Sequence, residues 1–144
     1  MEDVSLYEEA GGFDGLLALC RRWHVLCLAD PIAEHPFSRT HGEIHPQHDE
    51  RLAAYLAEAL GGPQLYTGGY GDEASMQRIH AGHGVHEELD EACLVLFDQA
   101  LVDVGIGGLT GARIGAYFRD STAAMRAYSD SEDQVPERLP FNFA

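Results

Sequence analysis

Hydrophobic residues recur every three or four positions along most of the chain, which is the spacing of one face of an α-helix. The clearest stripe predicts a helix over residues 13–29, and it consists of Phe13, Leu16, Leu17, Cys20, Trp23, His24, Cys27 and Leu28. Further stripes predict helices near residues 46–60, 73–80, 86–104 and 112–128. Because no segment alternates hydrophobic and polar residues with a period of two, the chain is predicted to be all-α.

Capping residues and helix breakers mark where these helices begin and end. Ser5 with Glu8 three residues later is a capping box that predicts a short first helix, ended by Gly11-Gly12. Asp30-Pro31 ends the second helix, and prolines break up the loop that follows, over residues 31–46. Irregular segments are expected at 80–85 and 105–111.

The last sixteen residues differ in composition from the rest of the chain. Residues 129–144 are polar and contain two prolines, so we expect an extended C-terminal tail after a single domain over residues 1–128. The side chains of Phe141 and Phe143 could pack against the domain and hold this tail in place, but we expect the tail to fray.

Charge and cysteine usage narrow the function classes. The 144 residues carry a formal net charge of −15, which argues against nucleic acid and anionic membranes as partners, since both select basic surfaces. No leader or membrane-spanning run is present in the sequence.

The three cysteines form no CxxC pair, and Cys20 and Cys27 lie two helical turns apart, too far for a disulfide. A reducing cytoplasm is therefore the expected location.

The order of these elements resembles the truncated haemoglobins, and within them the second group. The matching pieces are YEEAGG, WHVLCLADPIAEHPF, ERLAAYLAEALGGPQLYT and RIHAGHGVHEELDEAC, which together cover most of residues 5–100. The resemblance implies a globin-like two-over-two helical sandwich around a haem. It also implies that the second and third long helices lie on the distal side of the haem, where a ligand binds.

The resemblance assigns roles to individual residues. It places the proximal iron ligand at His80, two residues after Arg78. Leu52 falls at the apolar distal position, Phe37 at the aromatic that stacks on the haem, and Tyr66 at a tyrosine near the haem edge. Other residues expected to contact the haem are Trp23, Tyr55, Arg78, Cys93 and Phe118. Arg78 is a candidate for a haem propionate or for an ordinary surface salt bridge.

Three departures from the family pattern concern the ligand site. His24 replaces the distal tyrosine, His48 replaces a small or polar distal residue, and Cys93 replaces the tryptophan that marks the second group. His24 and His48 each lie on the apolar stripe of a helix, where a polar group is costly unless it has a partner. Together they predict a polar distal pocket, with His24 as a fixed hydrogen-bonding residue and His48 as a mobile gate or a reversible sixth ligand.

The predicted function is that of a haem protein that binds dioxygen or another small diatomic ligand. Haem b is expected because no CxxCH motif is present to attach haem covalently. A second function class is redox chemistry on a peroxide or on nitric oxide with the help of a reductase, and imidazole groups near neutral pH favour it.

A non-haem metal-binding protein is the alternative. His41, His45 and His48 are spaced by four and three residues, and His80, His83 and His86 are spaced by three. Both sets suit zinc, although Pro46 and the glycines at 82 and 84 break helical geometry, and no HExxH motif accompanies them.

Overall fold

The computed structural model describes residues 4–34 and 47–144, and every regular element in these ranges is a helix. The α-helices are α1 (Leu6–Glu9), α2 (Gly12–Leu28), α3 (His48–Ala59), α4 (Glu73–His80), α5 (Glu87–Asp103) and α6 (Gly108–Ala124). Two 3₁₀ turns follow at Met125–Tyr128 and Glu132–Gln134. The all-α prediction is confirmed. Phe37, His41 and His45 lie outside the described residues.

The helix ends follow from local chemistry. Ser5 caps α1 by accepting a hydrogen bond from the backbone N–H of Glu8 at 3.1 Å. The α3 helix ends in a Schellman motif, in which the N–H of Gly62 bonds to the carbonyl of Ala57 at 2.7 Å. Gly61 makes that turn possible because its φ of +95° is a conformation that residues with a side chain rarely adopt.

The long helices enclose one main core. The α2 helix packs against both α3 and α5, and α5 packs against α6. The largest fully buried apolar side chains are Phe97, Leu16, Leu19, Leu56 and Ile114. Within the described ranges, no helix is long and apolar enough to cross a membrane.

The last long helix begins four residues earlier than predicted. We expected a glycine loop to continue to residue 111, but α6 begins at Gly108. Close packing explains the glycine at 111, because a Cβ atom there would lie 2.4 Å from the carbonyl oxygen of Ile106. Gly111 therefore permits close packing in the first turn of α6, whereas the sequence pattern assigned it to the loop before that helix.

The C-terminal tail is docked, so the expectation that it frays is wrong. The N–H of Ala144 bonds to the carbonyl of Ala59 at 3.0 Å, and the Tyr117 hydroxyl donates to the carbonyl of Asn142 at 2.6 Å. The Phe141 ring lies 4.8 Å from the Tyr55 ring, between centroids. Two hydrogen bonds and a buried aromatic contact outweigh the entropy cost that we expected to dominate.

Candidate functional site

His80 is the last residue of the short helix α4, and its ring is held by the same helix. The helix begins with a capping box, in which Asp72 accepts from the N–H of Ser75 at 2.8 Å and Ser75 Oγ accepts from the N–H of Asp72 at 3.0 Å. One turn before His80, the carbonyl oxygen of Met76 lies 2.8 Å from its Nδ1 atom. A carbonyl only accepts, so Nδ1 carries the hydrogen and Nε2 keeps its lone pair in the neutral ring.

The surroundings of His80 favour this neutral form. The pKa of His80 is lowered, first because nearby protein displaces solvent and penalises the charged form, and further because His83 is close. The hydrogen bond to Met76 opposes this shift. The residue is nevertheless partly open to solvent. It therefore offers an accessible neutral imidazole, which is the form that binds iron.

His24 and His48 lie against each other at the interface of α2 and α3. Their ring centroids are 4.5 Å apart and their planes meet at 66°. His24 is only 3% exposed, whereas His48 is half-buried at the first position of α3. The helix packing thus brings together the two histidines that depart from the family pattern.

Asp49 is a partner of His24 that the sequence analysis missed. Its carboxylate oxygen Oδ1 is hydrogen-bonded to Nδ1 of His24. Burial lowers the pKa of His24, and the hydrogen bond and negative charge of Asp49 partly oppose that effect. An acidic residue directly after His48 is no signal in itself, because the first turn of a helix favours carboxylates anyway.

Trp23 and Phe118 belong to an aromatic cluster in the core. The two rings meet edge to face with centroids 5.2 Å apart, and Phe118 stacks on Phe97 at 3.9 Å. The indole Nε1 of Trp23 donates to the backbone carbonyl of Cys93 at 2.9 Å. The Trp23 side chain is therefore fixed between α2 and α5.

Cys93 is half-buried and is paired with a second cysteine. Cys27 is fully buried on α2. Hydrogen bonding between the two thiols lowers the pKa of Cys93, and together with burial it raises the pKa of Cys27. The sequence analysis treated Cys27 only as part of an apolar stripe, since the contact depends on how α2 and α5 pack.

Tyr55 and Tyr66 lie together on another side of the core. Their ring centroids are 5.2 Å apart, and the Tyr55 hydroxyl donates to the carboxylate of the buried Glu73 at 2.5 and 2.9 Å. Burial raises the pKa of Glu73, and the bond from Tyr55 opposes that rise. Leu52, one turn before Leu56 on α3, is partly buried against the same core. Glu73 was another residue that sequence reasoning missed.

Arg78 contacts the C-terminal tail. Its guanidinium donates to the carbonyls of Pro136 and Glu137 at 3.2 and 3.5 Å. These partners are backbone carbonyls and not the carboxylate of a surface salt bridge, which was one of the two expectations for Arg78. The other expectation, contact with a haem propionate, stays a prediction. Phe37 lies outside the described residues, so its place relative to the haem also stays a prediction.

The rival zinc interpretation is not supported by the described residues. Over residues 4–34 and 47–144, no three histidine, cysteine, aspartate or glutamate side chains lie close enough together to hold a metal ion. The set at His80, His83 and His86 therefore does not form a site. Glycines at 82 and 84, with φ of +77° and +74°, interrupt the helix that would align it.

Comparison with known proteins identifies the family. The family model described as bacterial-like globin matches residues 5–127, which is most of the chain. The chain is a bacterial-like globin. Globins are haem proteins, so haem-based ligand binding is the function that the family supports.

This globin is also similar to individual truncated haemoglobins. It is 31% identical over 84 residues to the group 1 truncated haemoglobin of Mycolicibacterium paratuberculosis, and the match covers 58% of this chain and 56% of that protein. The match thus spans little more than half the length of that relative.

Solved structures show the same fold. One variant of the group II truncated haemoglobin of Bacillus anthracis aligns with a TM-score of 0.76 and 20% identity, over 87% of this chain and 92% of that one. The group II two-on-two haemoglobin of Agrobacterium tumefaciens aligns with a TM-score of 0.71 and 23% identity, over 88% and 96%. These structures confirm the two-over-two sandwich, and at such identities they show the fold alone.

The donor chemistry of this globin fits a haem. His80 presents a neutral imidazole whose Nδ1 is already engaged by the Met76 carbonyl, so Nε2 is the nitrogen available to iron. Metal-ligating histidines ordinarily have their second ring nitrogen fixed in this way.

Proposed function

We propose that this globin holds haem b through Nε2 of His80 and takes up a small diatomic ligand, such as dioxygen, beside His24 and His48. The observation that carries the proposal is the hydrogen bond from Nδ1 of His80 to Met76. It fixes the tautomer and the orientation of the one histidine that the family resemblance assigns to iron. A cytoplasmic location fits this role.

The bound haem would supply an iron atom with a coordination position for the ligand. The chain's own residues would set how that position behaves. Trp23, Phe97 and Phe118 exclude water on the side of α2 and α5 because their rings pack edge to face and face to face. His24 and His48 provide two imidazole rings at the α2–α3 interface, with centroids 4.5 Å apart.

The His24–Asp49 pair favours a second candidate function, which is redox chemistry on a peroxide. Asp49 accepts from Nδ1 of His24, so in the neutral ring Nε2 is an acceptor and not a donor. A residue that stabilises bound dioxygen has to donate a hydrogen bond, whereas a residue that activates a peroxide has to accept its proton first. Neutral His24 is suited to the second task. Turnover would need an external electron donor, for which a reductase is the natural class.

The haem proposal is tested with His80→Gly and with the matched control His83→Gly. His83 is an exposed histidine three residues later in the same segment. Absorption spectra of the reconstituted proteins should show a Soret band for the parent and for His83→Gly. His80→Gly should lose most of its haem and recover it when imidazole is added, since free imidazole can replace the missing ring. Loss of haem in His83→Gly, with an unchanged spectrum in His80→Gly, would refute the assignment.

The two candidate functions are separated by mixing the ferric protein with hydrogen peroxide and following the Soret band. Under the peroxide hypothesis, His24→Gln slows the spectral change by a factor of about 10²–10⁴, the usual contribution of one acid–base residue. If His24→Gln reacts as fast as the parent but releases dioxygen faster, reversible ligand binding is the better description.

A further inference from the structure

The backbone that follows His80 is hydrogen-bonded to the C-terminal tail. The N–H of Gly82 donates to the carbonyl of Tyr128 at 3.0 Å, and the N–H of Gly84 donates to the carbonyl of Ser129 at 2.8 Å. Both glycines have a positive φ, so helix α4 cannot continue through them and hold this stretch by its own bonds. The two bonds to the tail therefore fix the path of the chain just after the proposed iron ligand.

The tail also holds helix α4 itself. The buried Val135 side chain forms a small apolar cluster with Ala74 and Ala81, separate from the main core. The Arg78 guanidinium donates to the backbone carbonyl of the residue after Val135 at 3.2 Å. Residues 128–136 thus contact the chain before and after the proposed iron ligand, and we call them the C-terminal clamp.

The C-terminal clamp has internal hydrogen bonds that hold its own shape. The Oγ atom of Ser131 accepts from the N–H of Asp133 at 3.1 Å, and the side-chain oxygen of Gln134 accepts from the N–H groups of Asp130 and Ser131 at 3.2 and 3.3 Å. These bonds form a capping box that closes the 3₁₀ turn just before Val135. A segment ordered in this way loses less entropy on docking than a flexible tail would.

Helix α4 needs support from outside because it has only eight residues. Isolated helices shorter than about 12 residues are marginal in water, and His80 lies at the end of the helix, where fraying begins. The bond from Nδ1 of His80 to the Met76 carbonyl requires the last turn to stay formed, since the two residues are one turn apart. The orientation of the His80 ring therefore depends on the contacts that hold this turn.

We propose that the C-terminal clamp holds the last turn of α4 and thereby positions the His80 ring for the iron. The family model matches residues 5–127, so the clamp is a part of this chain that the model does not include. Val135 is a positioning residue in this arrangement, because it acts on the ring through α4. The effect on haem rests on the proposed function, whereas the contact between the clamp and α4 does not.

Val135→Ala weakens the clamp at a side chain that belongs to the small cluster and not to the main core. It removes two buried methyl groups, which corresponds to a factor of about 10 in the equilibrium between the docked and the open clamp. Phe143→Ala is the matched control, because this side chain belongs to the same tail but is 60% exposed. Arg78→Gln weakens the same contact from the side of α4.

Hydrogen exchange of the apoprotein measures the clamp directly. The amide protons of Gly82 and Gly84 should exchange about ten times faster in Val135→Ala than in the parent, because they exchange when the clamp opens. Arg78→Gln should also raise both rates, and Phe143→Ala should match the parent. Far-UV circular dichroism should be the same for all four proteins, which shows that the variants are folded.

Two measurements on the haem protein report on His80. Haem transfer to apomyoglobin should be faster in Val135→Ala by up to the same factor, because an open last turn releases the ring that holds the iron. The iron–histidine stretching band of the ferrous protein should shift or broaden in Val135→Ala, since the bond from Nδ1 to Met76 tunes the ring as a ligand. Phe143→Ala should leave both unchanged. A general loss of stability would not move that band.

Two results would overturn the proposal. One is exchange at Gly82 and Gly84 that Val135→Ala leaves unchanged, because the clamp then does not hold this segment. The other is faster exchange with no change in haem transfer or in the stretching band, in a protein that loses its haem in His80→Gly. If His80→Gly keeps its haem, the proposed function fails instead, and exchange in the apoprotein alone decides whether the clamp holds α4.

Discussion

Nδ1 of His24 and Oδ1 of Asp49 are hydrogen-bonded across the interface of α2 and α3. The histidine is 3% exposed, while 29% of the aspartate side chain remains open to solvent. The bond joins a buried ring to a carboxylate in the first turn of the next long helix. It fixes which nitrogen of His24 carries the proton, and it holds the start of α3 against α2.

Replacing Asp49 with asparagine should weaken this interface and change the titration of His24. The neutral amide removes the charge that opposes burial, so the pKa of His24 should fall further below its usual value. The amide oxygen of asparagine still accepts from Nδ1 of His24 but carries no charge, so the free energy of unfolding should fall by about 1–2 kcal/mol. NMR titration and urea unfolding of the apoprotein measure the two effects.

Glu50→Gln is the control for Asp49→Asn. It removes the same charge from the next residue, whose partner is the exposed Arg21 at 3.7 Å. A surface pair of this kind contributes at most about 1 kcal/mol. Equal stability of the two variants would show that the His24–Asp49 bond does not hold the interface.

The apoprotein should lose stability as the pH falls below neutral. The folded-state pKa values of His24 and His80 are both lowered from the usual 6.5, so the unfolded chain binds protons first. Above the pKa that these histidines have in the unfolded chain, their full contribution to the free energy of unfolding is present. That contribution is lost as the pH falls from this value through the lower pKa of the folded protein. Urea unfolding at a series of pH values should show this fall.

Substitution of His24 by glutamine should make that fall shallower, because one of the two contributing groups is removed. The parent protein, in which both histidines contribute, is the reference for this comparison. A pH dependence that is identical in the parent and in His24→Gln would contradict the assignment.

Local signals allowed prediction of the elements, and tertiary packing accounts for most of what was missed. The α4 helix was predicted near residues 73–80, in agreement with Glu73–His80, and the capping box of Asp72 and Ser75 defines its start locally. The Asp49–His24 and Cys27–Cys93 contacts depend on how one helix is placed along another. A single sequence does not encode that register in any readable pattern. His80, His24 and His48 were assigned to the ligand site through the family resemblance, and that assignment stays a prediction.

The docked tail gives a matched pair of substitutions. Phe141 packs against the Tyr55 ring and the main core, whereas Phe143 is 60% exposed. Phe141→Ala should lower the free energy of unfolding by roughly 1–3 kcal/mol, because it removes a partly buried ring. Phe143→Ala should change it by about 0.5 kcal/mol or less. Denaturant unfolding of the apoprotein provides both values, and equal losses would mean that Phe141 does not anchor the tail.

The last prediction concerns which distal histidine reaches the iron. A ligating imidazole nitrogen has to lie about 2 Å from the metal, whereas a residue that stabilises a bound ligand stays a hydrogen bond away, at about 3 Å. His24 is buried in the middle of the interface, bonded to Asp49, with the Trp23 ring 5.0 Å away. His48 is half-buried and begins α3, and the ends of helices move more easily than their middles.

His48 is therefore expected to be the reversible sixth ligand, and His24 the fixed hydrogen-bonding residue. Electron paramagnetic resonance of the ferric haem protein should show a low-spin signal that His48→Ala abolishes and His24→Ala keeps. His24→Ala should instead slow the reaction of the ferric protein with hydrogen peroxide, because Nε2 of neutral His24 accepts a hydrogen bond. A low-spin signal that disappears only in His24→Ala would reverse the two roles. A purely high-spin ferric form, with dioxygen release unaltered by either substitution, would place both histidines outside the ligand site and leave His80 as the only histidine at the iron.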